Sequence, residues 1–413
     1  MTDVVIQKGS TADARFPLKG GAGSDAVHTD PVYAYAICHL HSSRPGLKGT
    51  GLAFTLGAGN ELVCQAIRYL FRYVEGREIR ELMAEFGKVF KTMAEDPKLR
   101  WLGPHKGVVH LALASVVNAC FDLWAKAEHK PLWKLLIDLS PEAIFNTLDL
   151  SYLEDVLNHQ QALALLREAG KDREQRLSLA ERGYPGYDTS VGWFQYSDEQ
   201  VKENIRKAMA AGFTAMKLKV GSEQPERDIR RAYLLREIAG EEASLMLDAN
   251  QQWNLPRALQ MSEQLRDMRP YWIEEPTHPD DVQAHLHLAD AIRPFKLAMG
   301  EHLPNRIVFK NYLQVGVMAF NQVDALRVGG VSEFITISLL SKKFGVPVVP
   351  HVGDMGQLHQ HLVLFNHIAL GHQALFLEYI PHLRSKFKFP AEVKDGTYRT
   401  PQVPGSSTDL TGF

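Results

Sequence analysis

The chain has 413 residues, of which 45% are hydrophobic and 23% are charged, a balance typical of a globular protein. Its 46 basic and 48 acidic residues leave a formal net charge of −2, so composition argues against a general affinity for nucleic acid or for an acidic membrane surface. The three cysteines have no paired spacing, which favours a reducing compartment. No apolar run reaches the roughly 18–20 residues that cross a bilayer, and the N-terminus lacks a signal-peptide pattern. We expect a cytoplasmic protein with two domains, or with one large barrel and an attachment.

The first part of the chain, to about residue 140, mixes strand-like and helical patterns. Residues 32–41 have the aromatic and apolar enrichment of a strand. Residues 61–74 and 77–95 read as amphipathic helices, and residues 107–136 are apolar nearly all round until a Lys-Pro pair closes the helix. A few strands followed by packed helices predict an α+β domain.

From about residue 190, short apolar runs alternate with helical segments. Strand–helix alternation with buried strands predicts a parallel sheet. The runs are "AMKLKV" (215–220), "LMLDAN" (245–250), "YWIEEP" (271–276), "KLAMGE" (296–301), "FNQVDAL" (320–326), "VPVVPH" (346–351) and "ALFLEY" (374–379).

One ionisable residue stands at or near the C-terminal end of each of these strands, at intervals of 23 to 29 residues. In a (β/α) barrel all such ends open onto one face, where the βα loops converge to form an active site. A doubly wound sheet would bring only a few strand ends to one crevice, so the series favours a barrel. The residues are Lys219, Asp248, Glu274, Glu301, Asp324, His351 and Glu378.

Three carboxylates on consecutive strands, Asp248, Glu274 and Glu301, predict an all-oxygen metal site. Oxygen ligands without cysteine or paired histidine favour a hard cation, with one Mg²⁺ ion as the leading choice and Mn²⁺ as the alternative. A single acid of this kind is more often a solvated loop residue. Three at successive strand ends reverse that preference.

Lys217 and Lys219 share one face of the strand that precedes the first of these acids. Next to a divalent cation and to a second ammonium group, Lys219 should have a depressed pKa and could accept a proton. Lys217 would tune it and reach the carboxylate of a substrate. The alternative is a pair of surface lysines whose stems pack along a strand end.

Asp324 and His351 lie on adjacent strand ends, so the carboxylate can hold one ring nitrogen of the imidazole and leave the other to act as acid or base. A lone histidine would more often be structural. Acid–base groups on each side of a metal suit removal of a proton α to a carboxylate, with the ion stabilising the enediolate. This is the logic of the enolase superfamily.

The sequence also resembles the mandelate racemase group of that superfamily, and within it the branch of L-fuconate and fungal L-galactonate dehydratases. The resemblance covers nearly the whole chain. It rests on "KLKVG", "DANQQW", "WIEEPTHPDD", "GEHLPNRIVFK", "QVDALRVGGVSE" and "FGVPVVPHVG", and on earlier segments such as "GSDAVHTDP" and "LRWLGPHKGVVHLA".

The resemblance implies a (β/α)₇β modified TIM barrel with an α+β capping domain. Residues 1–140, completed by 384–413, would form the cap, and residues 141–383 the barrel, with an insertion around 156–182. It further implies Mg²⁺ and the dehydration of a six-carbon sugar acid to a 2-keto-3-deoxy acid.

The resemblance also implies a role for each site residue. Asp248, Glu274 and Glu301 would be the metal ligands, Lys219 the base for the C2 proton, and His351 the acid for loss of the C3 hydroxyl. Asp324 would support His351, and Lys217, Asn250 and Glu378 would contact substrate.

Departures from the branch leave the substrate open. Asp354 replaces a small residue after the histidine motif, and Ser151 stands in a predicted strand, 148–155, where the branch carries an arginine. The segment after Glu378 differs, and the C-terminal tail stops early, at Phe413. L-Fuconate and L-galactonate are the leading substrates, and a homo-oligomer is expected, with no nucleic-acid or membrane partner.

Other functions remain open. Racemisation, epimerisation, cycloisomerisation or dehydration of another sugar acid could use the same residues, and a catalytically silent barrel could serve as a binding protein. A zinc hydrolase is the rival of a different class, because His39 and His41 in "HLH" share a strand face. No further ligands follow them at barrel spacing.

Overall fold

The computed structural model of the protein describes residues 3–413. The chain opens with an antiparallel sheet in the order β1-β2-β3, against which helices pack. We call this part the cap. Its elements are β1 Ile6–Pro17, β2 Val32–Ser42, β3 Lys48–Thr55, α1 Asn60–Leu70, α2 Ile79–Ala84, α3 Phe86–Ala94, α4 Gly107–Ala127 and α5 Leu132–Asp138, with 3₁₀ turns at Phe71–Tyr73 and Pro97–Leu102.

Helix α4 is the core helix of the cap. It is apolar nearly all round and packs against β3 and α1, as a helix without a polar face should. By length and composition it could cross a membrane, but 83% of its apolar window is buried inside the protein. The prediction that no apolar segment is long enough to cross a bilayer was therefore wrong. The helix that begins at residue 107 ends at Ala127, shortly before the Lys130-Pro131 pair that was predicted to close it, and a separate helix begins at Leu132.

Residues 148–155 do not form the predicted strand. The carboxylate of Asp149 accepts the backbone N–H of Ser151 at 3.0 Å, which makes a local turn. Tyr152 follows with a positive φ of 69°. Ser151 thus lies in a turn. Short helices surround it: α6 Pro141–Phe145, α7 His159–Gly170, α8 Arg173–Arg176 and α9 Ser178–Arg182.

The second half forms the predicted (β/α)₇β barrel. Parallel strands run in the order β4 to β9, Val348 pairs with Asn321 as a single-residue strand, and β10 returns to pair with β4. The elements are β4 Tyr184–Gly192, α10 Asp198–Ala210, β5 Ala215–Lys219, α11 Pro225–Ala239, β6 Ser244–Asp248, α12 Leu255–Gln264, β7 Trp272–Glu274, α13 Val282–Ala291, β8 Leu297–Met299, α14 Arg306–Gln314, β9 Phe320–Asn321, α15 Gly330–Phe344, α16 Leu358–Leu370 and β10 Leu377–Tyr379, with 3₁₀ turns at Arg266–Met268 and Pro381–Lys386.

Strand β4, which the sequence analysis did not identify, begins with "YPG". Proline and glycine are typical of turns, and they are tolerated here because the strand starts at this point. Seven side chains, from the barrel strands other than β10, fill the barrel interior below the mouth, as in other parallel barrels. These residues are Tyr187, Ala215, Met246, Trp272, Ala298, Phe320 and Val349.

The final segment contacts both parts. The hairpin β11 Val393–Lys394 and β12 Thr397–Tyr398 pairs antiparallel with barrel strand β4, although the sequence prediction assigned it to the cap. Later residues do reach the cap. The hydroxyl of Thr408 donates to the carbonyl of Thr50 at 2.6 Å.

Close packing of β3 on α4 gives a stability prediction. A Cβ at Gly51 would lie 1.9 Å from the Ser115 carbonyl oxygen and 2.4 Å from the Ala119 nitrogen, so backbone would have to move. Gly51→Ala should lower the free energy of unfolding by about 3 kcal/mol, measured by urea denaturation. Gly170→Ala is the control, because no atom lies within 4 Å of its Cβ position, and its change should stay within about 1 kcal/mol. Equal stability of the two variants would contradict this packing.

Candidate active site

Strand register places the first site residues side by side. Lys219 of β5 pairs with Asp248 of β6, and Asp248 pairs with Glu274 of β7. Because all three strands are parallel, the side chains leave the sheet at the same level, at its C-terminal edge. The ammonium nitrogen of Lys219 lies 2.5 Å from Oδ2 of Asp248. The sequence prediction that these residues share one face of the barrel agrees with this geometry.

Lys217 lies one layer deeper and is fully buried. Its ammonium nitrogen is 2.6 Å from Oε1 of Glu274, 2.8 Å from Oε1 of Glu378 and 3.6 Å from Oδ2 of Asp248. Burial alone would lower the pKa of Lys217, but the carboxylates of Glu274 and Glu378 outweigh it and hold the pKa well above its usual value. Lys217 is therefore a charged group inside the barrel, not a surface lysine.

Lys219 is also a cation in this arrangement. Burial lowers its pKa, but the adjacent Asp248 raises it further, so the pKa lies above the usual lysine value. The sequence analysis predicted a depressed pKa next to a divalent cation; the protein groups alone act in the opposite direction, and that prediction remains untested. On its other side, the ammonium lies 5.6 Å from the ring centroid of Trp193, whose indole N–H donates to His382 at 2.5 Å.

Glu301 joins the carboxylates to the other half of the site. Its Oε1 is 3.2 Å from the Arg327 guanidinium and 3.4 Å from Nε2 of His351. Although burial would raise it, His351 and Arg327 hold the pKa of Glu301 below its usual value. Oε2 of Glu301 is buried without a hydrogen-bond partner.

His351 and Asp324 form the predicted dyad. Nδ1 of His351 lies 2.8 Å from Oδ2 of Asp324, and the second oxygen of that carboxylate is 2.9 Å from Nε2 of His359. Burial favours the neutral imidazole, but Glu301 and the hydrogen bond to Asp324 outweigh it and raise the pKa of His351 to about 9. The ring is then protonated at neutral pH, the form that an acid catalyst needs.

The remaining predicted residues, Glu378 and Asn250, also lie at strand ends. Glu378 accepts the Thr189 hydroxyl at 2.6 Å and the Val352 backbone N–H at 3.0 Å. The backbone N–H of Asn250 donates to Oδ1 of Asp248 at 2.9 Å, while its side-chain oxygen is buried without a partner. Asn250 therefore holds Asp248 in place and offers a free acceptor next to it.

The donor atoms suit a hard cation. They are carboxylate oxygens, and the unpartnered oxygens of Glu301 and Asn250 are acceptors that a cation would satisfy. The predicted ligands Asp248, Glu274 and Glu301 do not bring their oxygens together in this structure. Among the described residues, the possible ligand atoms that lie within 4.8 Å of one another belong to Glu275, Glu301 and His302. Asp248 and Glu274 turn their oxygens towards Lys219 and Lys217 instead. His302 is itself paired with Glu275 at 2.9 Å.

Four further residues support the site and were not identified from the sequence. Gln322 donates to Oε2 of Glu274 at 2.7 Å, and it precedes Asp324 by two residues, so strand alternation could have found it. Arg327 follows Asp324 on the same loop. Thr189 lies on the strand that the sequence analysis did not identify. His359 lies on helix α16 and carries no strand-end signal.

The "HLH" pair does not form a metal site in the described part of the chain. Nδ1 of His39 lies 3.2 Å from the Thr50 hydroxyl, and Nε2 of His41 lies 2.8 Å from the Ser10 hydroxyl. Each histidine has one ring nitrogen bonded within the cap sheet, and neither belongs to the group of three possible ligand residues found in the described part of the chain, so the zinc-hydrolase alternative has no third ligand there.

Comparison with known proteins agrees with this geometry. A family model described as "Enolase C-terminal domain-like" matches residues 200–412. The chain belongs to the enolase superfamily. Over nearly its whole length it is similar to superfamily members in fungi and animals.

Among the relatives, L-galactonate dehydratase of Hypocrea jecorina is 39% identical over 419 residues, which covers 99% of this chain and 93% of the relative. The crystal structure of human mitochondrial enolase superfamily member 1 superposes with a TM-score of 0.96 at 39% identity, over 99% of this chain and 95% of that one. L-Talarate/galactarate dehydratase from Salmonella typhimurium LT2, liganded with Mg and L-lyxarohydroxamate, gives a TM-score of 0.79 at 25% identity, over 100% and 92%.

Proposed function

We propose that this chain is a Mg²⁺-dependent acid-sugar dehydratase. It would remove the C2 proton of a hexonate such as L-fuconate or L-galactonate and eliminate the C3 hydroxyl, which gives a 2-keto-3-deoxy acid. Membership of the enolase superfamily supports this proposal, as do relatives that are named as dehydratases of L-galactonate, of L-talarate and galactarate, and of arabinonate.

The observation that carries the proposal is a carboxylate set with an ammonium at one end and an imidazole at the other. Lys219 lies 2.5 Å from Asp248, and His351 lies 3.4 Å from Glu301. A sugar acid held at these carboxylates would have a proton acceptor near C2 and a proton donor near C3. Elimination of water needs both.

The charges of the site suit these roles. Lys217 is positioned by Glu274 and Glu378 to attract the substrate carboxylate. His351 is protonated at neutral pH, and Asp324 holds its Nδ1, so Nε2 can give a proton to the departing hydroxyl. The hydroxyl then leaves as water.

Asp248, Glu274 and Glu301 would hold the Mg²⁺ ion, which supplies positive charge that stabilises an enediolate. If a cation shared the charge of Asp248, Asp248 would hold the proton of Lys219 less firmly, because Asp248 raises the pKa of Lys219. Lys219 is the residue that would accept the C2 proton.

Racemisation or epimerisation is the second candidate, because the same base and acid can add a proton back to C2. A protein described as a racemase, from Streptomyces coelicolor and with bound magnesium, shares the fold. The cytoplasmic location and the homo-oligomer expected from the sequence remain predictions.

A screen of hexonates and pentonates with Mg²⁺ tests the function. We expect at least one acid sugar to give a 2-keto acid, detected by its semicarbazone absorbance, and we expect the rate to fall to background after chelation with EDTA. An epimer as the sole product would favour the second candidate. Absence of turnover by metal-loaded protein would refute both.

Isotope exchange tests the roles of Lys219 and His351. In D₂O, Lys219→Ala should abolish both C2 exchange and dehydration, while His351→Asn should stop dehydration and leave exchange. Each loss should be about 10²-fold or more, as for removal of a catalytic acid or base. Mass spectrometry of recovered substrate measures the exchange. If exchange survives in Lys219→Ala and stops in His351→Asn, the two roles are reversed.

The pH profile tests the acid. Glu301 and Asp324 raise the pKa of the His351 ring, and Mg²⁺ at Glu301 would offset the contribution of Glu301. In the metal-loaded enzyme kcat should therefore fall as pH rises through a pKa between the usual histidine value and about 9. Asp324 helps to raise this pKa. Asp324→Asn removes that negative charge, so the falling limb should move to lower pH while kcat drops. If kcat of Asp324→Asn falls at the same pH as in the wild type, a group other than His351 controls that fall.

A further inference from the structure

The cap makes a buried hydrogen bond to the loop that carries His351. The hydroxyl of Tyr35 on β2 donates to Oδ2 of Asp354 at 2.6 Å, across 319 residues of sequence. The other oxygen of this carboxylate accepts the backbone N–H of Gly356 at 2.6 Å. Tyr35 is 0% exposed and Asp354 is 4% exposed. Both carboxylate oxygens are thus satisfied, as a buried acid requires.

The loop 351–356 lies between the barrel and the cap. On the barrel side, the backbone N–H of Val352 donates to Oε2 of Glu378 at 3.0 Å. On the cap side, a Cβ at Gly353 would lie 3.1 Å from the ring of Phe54, so the loop backbone is packed directly against β3. Asp354 adds a side-chain hydrogen bond to this contact. The position of His351 therefore depends on groups from both domains.

The same region of the cap also reaches the loop that carries Asp324. The backbone N–H of Phe54 donates to the Leu326 carbonyl at 3.3 Å, and the side-chain amide of Asn118 donates to the Ala325 carbonyl at 3.0 Å. The two residues of the dyad, which must stay 2.8 Å apart, are therefore carried by loops that both dock on the cap.

We propose that Tyr35 and Asp354 form a tether that positions His351 for the elimination step. Asp354 is then a positioning residue and not a substrate contact. The inference rests on the proposed function, because it requires an acid step at His351. A small residue at position 354, which the family resemblance leads us to expect, has no oxygen to accept the Tyr35 hydroxyl. Misplacement of a catalytic group by about 1 Å can cost up to about 10²-fold in rate.

Three variants isolate the tether. Tyr35→Phe removes only the hydroxyl, Asp354→Ala removes the carboxylate, and the double variant removes both. Tyr73→Phe is the matched control, because the Tyr73 hydroxyl makes the same type of bond to Oδ2 of Asp96, at 2.7 Å, within the cap. Thermal unfolding of all four should show that the two tether substitutions are not additive, since they remove one bond.

The ratio of C2 deuterium exchange in recovered substrate to 2-keto product distinguishes positioning from a structural role. We expect Tyr35→Phe and Asp354→Ala each to raise this ratio about five- to tenfold, because proton removal at Lys219 continues while elimination slows. The double variant should match Asp354→Ala, KM should change by less than about twofold, and Tyr73→Phe should behave as wild type.

An unchanged ratio, an equal loss of exchange and product, or multiplied effects in the double variant would overturn the tether. Should Asp354→Ala fail to fold, Tyr35→Phe decides alone, since it removes a single oxygen atom. Wild-type protein that neither exchanges nor dehydrates any acid sugar would refute the proposed function first. That result is distinct from a working wild type with unaffected variants, which would refute only the tether.

Discussion

The structure depends on keeping four carboxylates at the mouth of one barrel. Asp248, Glu274, Glu301 and Glu378 are all buried, and buried carboxylates are stable only when cations or hydrogen-bond donors accompany them. The ammonium of Lys217 lies within 3.6 Å of three of them, and the imidazole of His351 lies 3.4 Å from the fourth, Glu301. The negative charge that suits a cation is therefore also the reason why two lysines end a core strand.

Strand register connects this chemistry to the hydrophobic pattern of the barrel. In β5, Lys217 and Lys219 share the face of Ala215, which belongs to the interior layer, and Lys219 is aligned with Asp248 and then with Glu274. A slip of one residue would turn both lysines away from the carboxylates and towards the helices. The apolar residues that fix the register thereby also fix the distances among the charged groups, so the fold and the site are specified together.

The site residues that could be predicted from the sequence are those that follow the alternation within a strand or the regular spacing between strands. Alternation identified Lys217 and Lys219, and regular spacing identified the acids from Asp248 to Glu378. The segment 148–155 looked equally strand-like, but a single Asp149 side chain turns the backbone. The pKa of Lys219 depends on its distance from Asp248, and the partner of Asp354 is 319 residues away. Neither quantity has a local signal in the sequence.

The two halves of the site differ in what holds them. Lys219, Asp248 and Glu274 come from adjacent strands joined by backbone hydrogen bonds, so the barrel strands position the base and these two carboxylates. Asp324 and His351 stand in loops that dock on the cap. Backbone ladders tolerate little displacement, whereas a docked surface can shift as a unit. The cap also contacts the loop after Lys219, where a Cβ at Gly221 would lie 3.1 Å from Cβ of Ala26. The dyad depends on the cap more directly, because the loops of both of its residues accept hydrogen bonds from cap groups.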